Sequence, residues 1–337
     1  MAETYKLTND ALEALFTALR KDGRRLLAPV DGDGRTELSE VETPAQVAKD
    51  YIQTILSAKE TVFPKVERLL DYETAPGKVE LHDAEPKARP TVIFGVRPCE
   101  AKAFKALDAV FNWDSRDKFF NARLEKLSVI AVSWTKSDAA CFCTSVGGGP
   151  ADTAGSDILL TPMEGGFLAE VLSEKGEAIR ALAPSLFTPC EGIDKAALTV
   201  KLERAFDQPA LTSKLPGIFE NPLWDEQALR CIGCGACAFV CPTCVCFDIQ
   251  EEADPRHGQR LRCWDSCGFS MFTLHASGHN PREVQGARWR QRIYHKFSTY
   301  PERYGMLGCV GCGKCTRACP VDMNLKEHLV EAAEVKE

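Results

Sequence analysis

Apolar residues recur three and four positions apart through ALEALFTALRKD (11–22), which predicts an amphipathic helix capped by Thr8-Asn9-Asp10 and ended at Gly23. RRLLAPV (24–30) and TELSEV (36–41) flank DGDG, a hairpin signal. QVAKDYIQTILSA (46–58) has helical spacing. TVIFGV (91–96) and SVIAVSW (128–134) are short apolar runs of the kind that form buried strands, and EAKAFKALDAVFNW (100–113) between them is helical in period. A strand–helix–strand order predicts a parallel βαβ unit. Residues 190–206 again predict helix, and the Pro-rich QPALTSKLPGIFENP (208–222) marks a boundary. Beyond Leu223 strand signals are scarce, and FSMFTLHA (269–276), EVQGARWRQRIYHKF (283–297) and LKEHLVEAAEV (325–335) predict helices. The pattern describes an α/β N-terminal domain, 1–215, followed by a mainly α-helical domain, 216–337.

Composition adds one anomaly. The chain of 337 residues is 45% hydrophobic and 26% charged, an ordinary globular balance, with a net charge of -7 that excludes a general cationic field for nucleic acid or anionic lipid. No apolar run approaches the roughly 18 residues of a membrane span, and the first residues lack a signal-peptide core. A cytoplasmic chain without direct membrane insertion is expected. Yet there are sixteen cysteines, and twelve of them lie between 231 and 319. In a reducing compartment, and in a chain long enough to bury a core, they point to metal thiolates and not to disulfides.

Two runs of C-x2-C-x2-C-x3-C-P give the chemistry: Cys231, Cys234, Cys237, Cys241-Pro242, and Cys309, Cys312, Cys315, Cys319-Pro320. This is the bacterial two-cluster ferredoxin spacing, in which the fourth cysteine ligates the other cluster. The expectation is one [4Fe-4S] cubane on Cys231, Cys234, Cys237 and Cys319, and a second on Cys309, Cys312, Cys315 and Cys241. A pair of zinc sites is the competing reading, but zinc usually takes two separated C-x2-C pairs and has no use for the third thiol and the C-x3-C-P ending. Lys314 and Arg317 lie in the second run, so that cluster is expected to have the higher potential, since positive charge favours the reduced state.

The insertion between the runs, residues 242–308, carries Cys244, Cys246, Cys263 and Cys267. In the first domain Cys99 follows an apolar strand and starts a helix, and Cys141 and Cys143 follow the next strand. Loops at the carboxyl ends of parallel strands share one edge. Two ligand sets for a third cluster stay open: Cys99, Cys141 and Cys143 with one of Cys244, Cys246 or Cys267, or the four insertion cysteines. Cys190 is expected to be structural or incidental. Arg282, Arg288, Arg290, Arg292, His295 and Lys296, interleaved with Trp289, Tyr294 and Phe297, read first as a solvated helix face. Docking an acidic partner and offsetting cluster charge are the other readings of that stretch. No dinucleotide fingerprint, phosphate loop, H-E-x-x-H site or nucleophile elbow is present.

FGVRPCEAKAF, CFCTSVGGGP, CPTCVCFD, WDSC, LHASGHNPR, RIYHKF and the paired cysteine runs together resemble the family of the sulfhydrogenase beta subunit, which also takes in the dicluster electron-transfer component of anaerobic sulfite reductase. Related subunits accompany flavin oxidoreductase–heterodisulfide reductase assemblies. The resemblance covers most of the chain from about residue 90 and, more loosely, what precedes it. It implies an α-helical ferredoxin-type dicluster domain and a role in anaerobic metabolism as a non-catalytic electron-transfer subunit. The partners it implies are an FAD/NAD(P)H-binding flavoprotein and terminal metalloenzyme subunits. Cys263 departs from the expected pattern, which weakens the insertion-only set. The alternative function is catalytic: an open iron–sulfur centre near Cys99, Cys141 and Cys143 that reduces a small sulfur compound.

Overall fold

The computed structural model describes residues 3–336; Met1 and Ala2 of the expected signal-free start and Glu337 of the acidic tail lie outside them. In chain order the described strands are β1 (Glu3–Thr8), β2 (Arg25–Gly32), β3 (Arg35–Glu40), β4 (Val66–Ala75), β5 (Lys78–Asp83), β6 (Thr91–Val96), β7 (Leu127–Val132), β8 (Ile158–Met163), β9 (Gly166–Val171), β10 (Thr188–Pro189), β11 (Phe247–Ala253) and β12 (His257–Trp264). They form an eight-stranded sheet, β10-β1-β9-β8-β7-β6-β2-β3, and a four-stranded sheet, β11-β12-β4-β5. The centre of the larger sheet, β2-β6-β7-β8, is parallel, and antiparallel strands close both edges.

The larger sheet is sandwiched by α1 (Ala11–Lys21), α2 (Pro98–Phe111), α3 (Lys118–Lys126) and α4 (Glu174–Leu182). Every residue of β6 is buried, as a central strand covered on both faces requires. Its alternate side chains divide. Val92 and Phe94 join Leu15, Phe16 and Ile179 on one face, while Ile93 and Val96 join Phe104, Leu107 and Phe120 on the other. The expected hairpin and the βαβ unit both form. Pro98 opens α2 at its first turn, where a fixed φ suits a helix start, and so delivers Cys99 to the strand's carboxyl end.

Four expectations about local structure fail. Residues 46–58 make no α-helix, because their carbonyls serve side chains: Arg97 donates to Tyr51 and Ile52, and Lys314 to Thr54 and Leu56. Residues 190–206 hold only a short 3-10 turn, Lys195–Leu198, and 269–276 only turns. The 242–308 insertion also contains a hairpin, β11–β12, so the second part is not helical throughout. Its turn is made by Asp254, whose carboxylate accepts from the Arg256 and His257 amides at 2.7 and 2.8 Å.

That hairpin pairs with β4, so one sheet runs across position 215. A buried ion network anchors it. Arg262 donates to Glu67 and, at 2.5 Å, to Asp117, and Glu67 also accepts from Arg123. Removing one partner from such a network costs about 3–5 kcal/mol, which fixes the base of the hairpin, and with it Cys246 and Cys267.

Candidate metal centre

Two cavities lie side by side beyond the strand ends. One is walled by Cys231, Cys234, Cys237 and Cys319, and the other by Cys241, Cys309, Cys312 and Cys315. The second wall takes three thiols from its own run and Cys241 from the other, and the first takes three from its own run with Cys319 and Cys315 from the other. Cys315 borders both cavities. The runs turn tightly through glycines in the left-handed region. At Gly311 (φ 63°) an added Cβ would come within 2.6 Å of the Cys143 backbone, and at Gly235 (φ 74°) within 2.4 Å of the Phe269 ring. The Cys141–Cys143 loop is therefore seated directly on the second run, with the Phe142 amide donating to Gly311 O at 2.9 Å. The segment after Trp264 covers the first.

Burial makes two of these thiols hard to ionise alone: it pushes Cys237 up to about 11 and Cys309 up to about 12. Positive charge waits beside them. Arg292 and Lys296 are 4% and 3% exposed, and among the described residues neither has a carboxylate partner. Arg292 borders both cavities, donates to Cys244 Sγ at 3.4 Å and Cys237 O at 2.9 Å, and has a buried Nε with no partner. Lys296 donates to Cys241 Sγ at 3.4 Å, Thr243 Oγ1 at 3.0 Å and Gly308 O at 2.6 Å. Two buried cations without counter-ions are costly unless an anionic group faces them. A cubane with four thiolates is such a group, so the donor set and the charge both fit it. Among the described residues no group of three or more Cys, His, Asp or Glu is spaced to hold a single metal ion.

The basic stretch is therefore not simply a solvated face. Trp289, Ile293 and Phe297 form its core stripe, and Arg292 and Lys296 flank that stripe, pointing inward. Arg292 lies three places after Trp289, and Lys296 three after Ile293, spacings that share one side of a helix. His295 beside them is held neutral, its pKa pulled down to about 4 by burial and by Lys296 and Arg292.

Lys314 and Arg317, the cations expected to raise the potential of the second cluster, are both paired. Lys314 is buried and paired with Glu100 at 3.1 Å. Arg317 grips Asp138 at 2.6 and 2.8 Å and holds that carboxyl down to about 2. Each cation is cancelled by a carboxylate, and neither simply faces water.

The surplus cysteines fall in two places. Cys99, Cys141 and Cys143 pack together, and the thiol of the second half that joins them is Cys312. Cys99 accepts from Gln53 at 3.1 Å, and Cys141 from Arg317 at 3.1 Å. Cys244 instead packs on Ala238 and Cys241, and Cys246 and Cys267 are thiol partners of each other. Cys263 sits on β12 opposite Asp248 with no thiol among its charged neighbours, which breaks up the set of four insertion cysteines. Cys190 lies at the sheet edge, bonded to Thr4.

Residues 230–323 match the family described as the 4Fe-4S dicluster domain. All eight cysteines that wall the two cavities fall within it. The resemblance extends well beyond the dicluster domain: the chain is 29% identical to Sulfhydrogenase 2 subunit beta of Pyrococcus furiosus over 344 residues, 98% of each chain. No solved structure matches. Among the described residues no helix is long and apolar enough to cross a membrane.

Proposed function

We propose that this chain is the iron–sulfur electron-transfer subunit of a multi-subunit oxidoreductase. It relays single electrons between a terminal enzyme of the hydrogenase, sulfite reductase or heterodisulfide reductase type and a flavin/NAD(P)H subunit. The observation that carries the reading is the pair of adjoining cavities lined by the eight cysteines of the two runs, with Cys319 on the first and Cys241 on the second. Cys231, Cys234, Cys237 and Cys319 would hold one cubane, and Cys309, Cys312, Cys315 and Cys241 the other. When bound, such groups supply one-electron storage. The chain's own residues do the rest: Trp289, Met323 and Leu325 keep water out, and Arg292 and Lys296 offset the added negative charge.

The path has direction in space. Cys234 is exposed, and Leu229 and Ile232 next to the same cavity are 84% and 65% exposed, an apolar rim for a partner subunit to cover. The relative from Pyrococcus furiosus is a beta subunit, which supports partners of this kind. At the other end Cys312 adjoins Cys99, Cys141 and Cys143, which we propose hold a third cluster. Those three thiols are 3%, 5% and 7% exposed, which leaves little surface for a substrate to reach and favours the relay over an open catalytic centre. The test is anaerobic addition of NADH or NADPH to the native complex. Bleaching of the iron–sulfur absorbance within the turnover time is expected; clusters that stay oxidised while the flavin is reduced would refute the relay.

A further inference from the structure

We infer that the surplus cysteines build two separate iron–sulfur sites, and that Cys244, Cys246 and Cys267 form one of them, distinct from Cys99, Cys141 and Cys143. The inference rests on the relay reading, since it takes the neighbouring cavities to hold cubanes.

Three observations carry it. The first is convergence. Phe247 pairs with Trp264 at the base of the β11–β12 hairpin, and the Asp265 amide donates to Cys246 O at 2.9 Å. This brings Cys246 against Cys267 although twenty residues separate them in sequence (267 − 246 = 21 positions). Cys244, two residues before Cys246, packs on Ala238 and Cys241 and lies close enough to Cys246 for their charges to interact.

The second is unbalanced charge. Arg292 reaches Cys244 Sγ, and its buried Nε has no partner. Lys59, 3% exposed, donates to Cys244 O at 2.9 Å and Ala238 O at 3.3 Å and stacks on Trp264 at 4.0 Å, again with no carboxylate partner among the described residues. Lys296 serves the second cavity. Lys59 is thus a third buried cation, outside the lining of either cavity, and the thiols it faces are Cys244, Cys241 and Cys246.

The third is separation. The cations beside Cys99 and Cys141 are already matched, Lys314 by Glu100 and Arg317 by Asp138, and the sulfurs there take their own donors, Gln53 and Arg317. The two trios therefore have separate electrostatic environments and separate walls. Each offers three thiolates, which suits a cubane-type cluster whose remaining iron carries a non-cysteine ligand.

Iron and acid-labile sulfide are measured on the anaerobically purified full chain and on C143S, C246S, C267S and the C143S/C246S double variant, with electron paramagnetic resonance of each after dithionite. Each single variant is expected to lose about four irons per chain, and the double about eight, with the signals of the two eight-cysteine centres retained. Full iron in C246S and C267S, beside a loss in C143S, would overturn the inference and leave the relay standing. So would peptide mapping that finds Cys246 and Cys267 joined as a disulfide in the native chain. Absence of iron from the wild type would instead remove the relay reading itself. Lys59→Met, which leaves every thiol in place, is expected to lower iron content by the same step as C246S, and an unchanged count there would contradict the charge argument.

Discussion

Replacing Arg292 with methionine is expected to lower the reduction potentials of both dicluster centres while leaving their iron in place. The guanidinium borders both cavities and no carboxylate balances it among the described residues. A reduced cubane is one charge more negative than the oxidised one, so removing a nearby cation disfavours reduction and moves the potential down. A unit charge at roughly 6 Å and an effective dielectric near 20 is worth about 3 kcal/mol, on the order of 100 mV for one electron. Lys296→Met is expected to move only the centre that includes Cys241. Lys314→Met and Arg317→Met serve as contrasts: their fields are already cancelled by Glu100 and Asp138, so shifts much smaller than that of Arg292→Met are expected. Anaerobic redox titration followed by electron paramagnetic resonance reads all four. Equal potentials in the wild type and Arg292→Met, at equal iron content, would show that the buried cation does not set them.

The second large effect concerns the exchanged ligand. Cys319 belongs by sequence to the second run but stands in the wall of the first cavity, and Cys241 does the reverse. Cys319→Ala is therefore expected to behave like Cys234→Ala, losing about four irons from the first centre, and Cys241→Ala like Cys312→Ala. The pairing is read from which spectral signal disappears in each variant. If Cys319→Ala instead removed the signal lost in Cys312→Ala, each run would be holding its own cluster, and the two cavities would be misassigned.

Much of this was legible in the sequence because the motifs are local. A C-x2-C-x2-C-x3-C-P run needs only a tight backbone curl, and its glycines sit where spacing says they should. β6, α2 and β7 were equally readable, since a strand buried on both faces is a continuous apolar run. What failed was non-local. Residues 46–58 have helical periodicity, yet Arg97 and Lys314 from distant segments claim their carbonyls. β11 is exposed along its whole length and carries no apolar alternation; it exists because β12 pairs with it and with β4. Lys314 and Arg317 looked like potential-setting charges because their partners, Glu100 and Asp138, lie 214 and 179 positions away (314 − 100 and 317 − 138). Arg292 and Lys296 looked like surface for the converse reason: a charged residue next to a core stripe is ordinarily solvated, and only the cavities beside them reverse that expectation.

The central claim is that eight crossed thiolates hold two cubanes at close range. Its most direct test is the iron, sulfide and zinc content of anaerobically prepared chain, combined with its spectrum after dithionite. The account predicts at least about eight irons and as many sulfides per chain, with a broadened signal from two interacting one-electron centres. Stoichiometric zinc in their place, or a reduced sample with no paramagnetic signal, would contradict it.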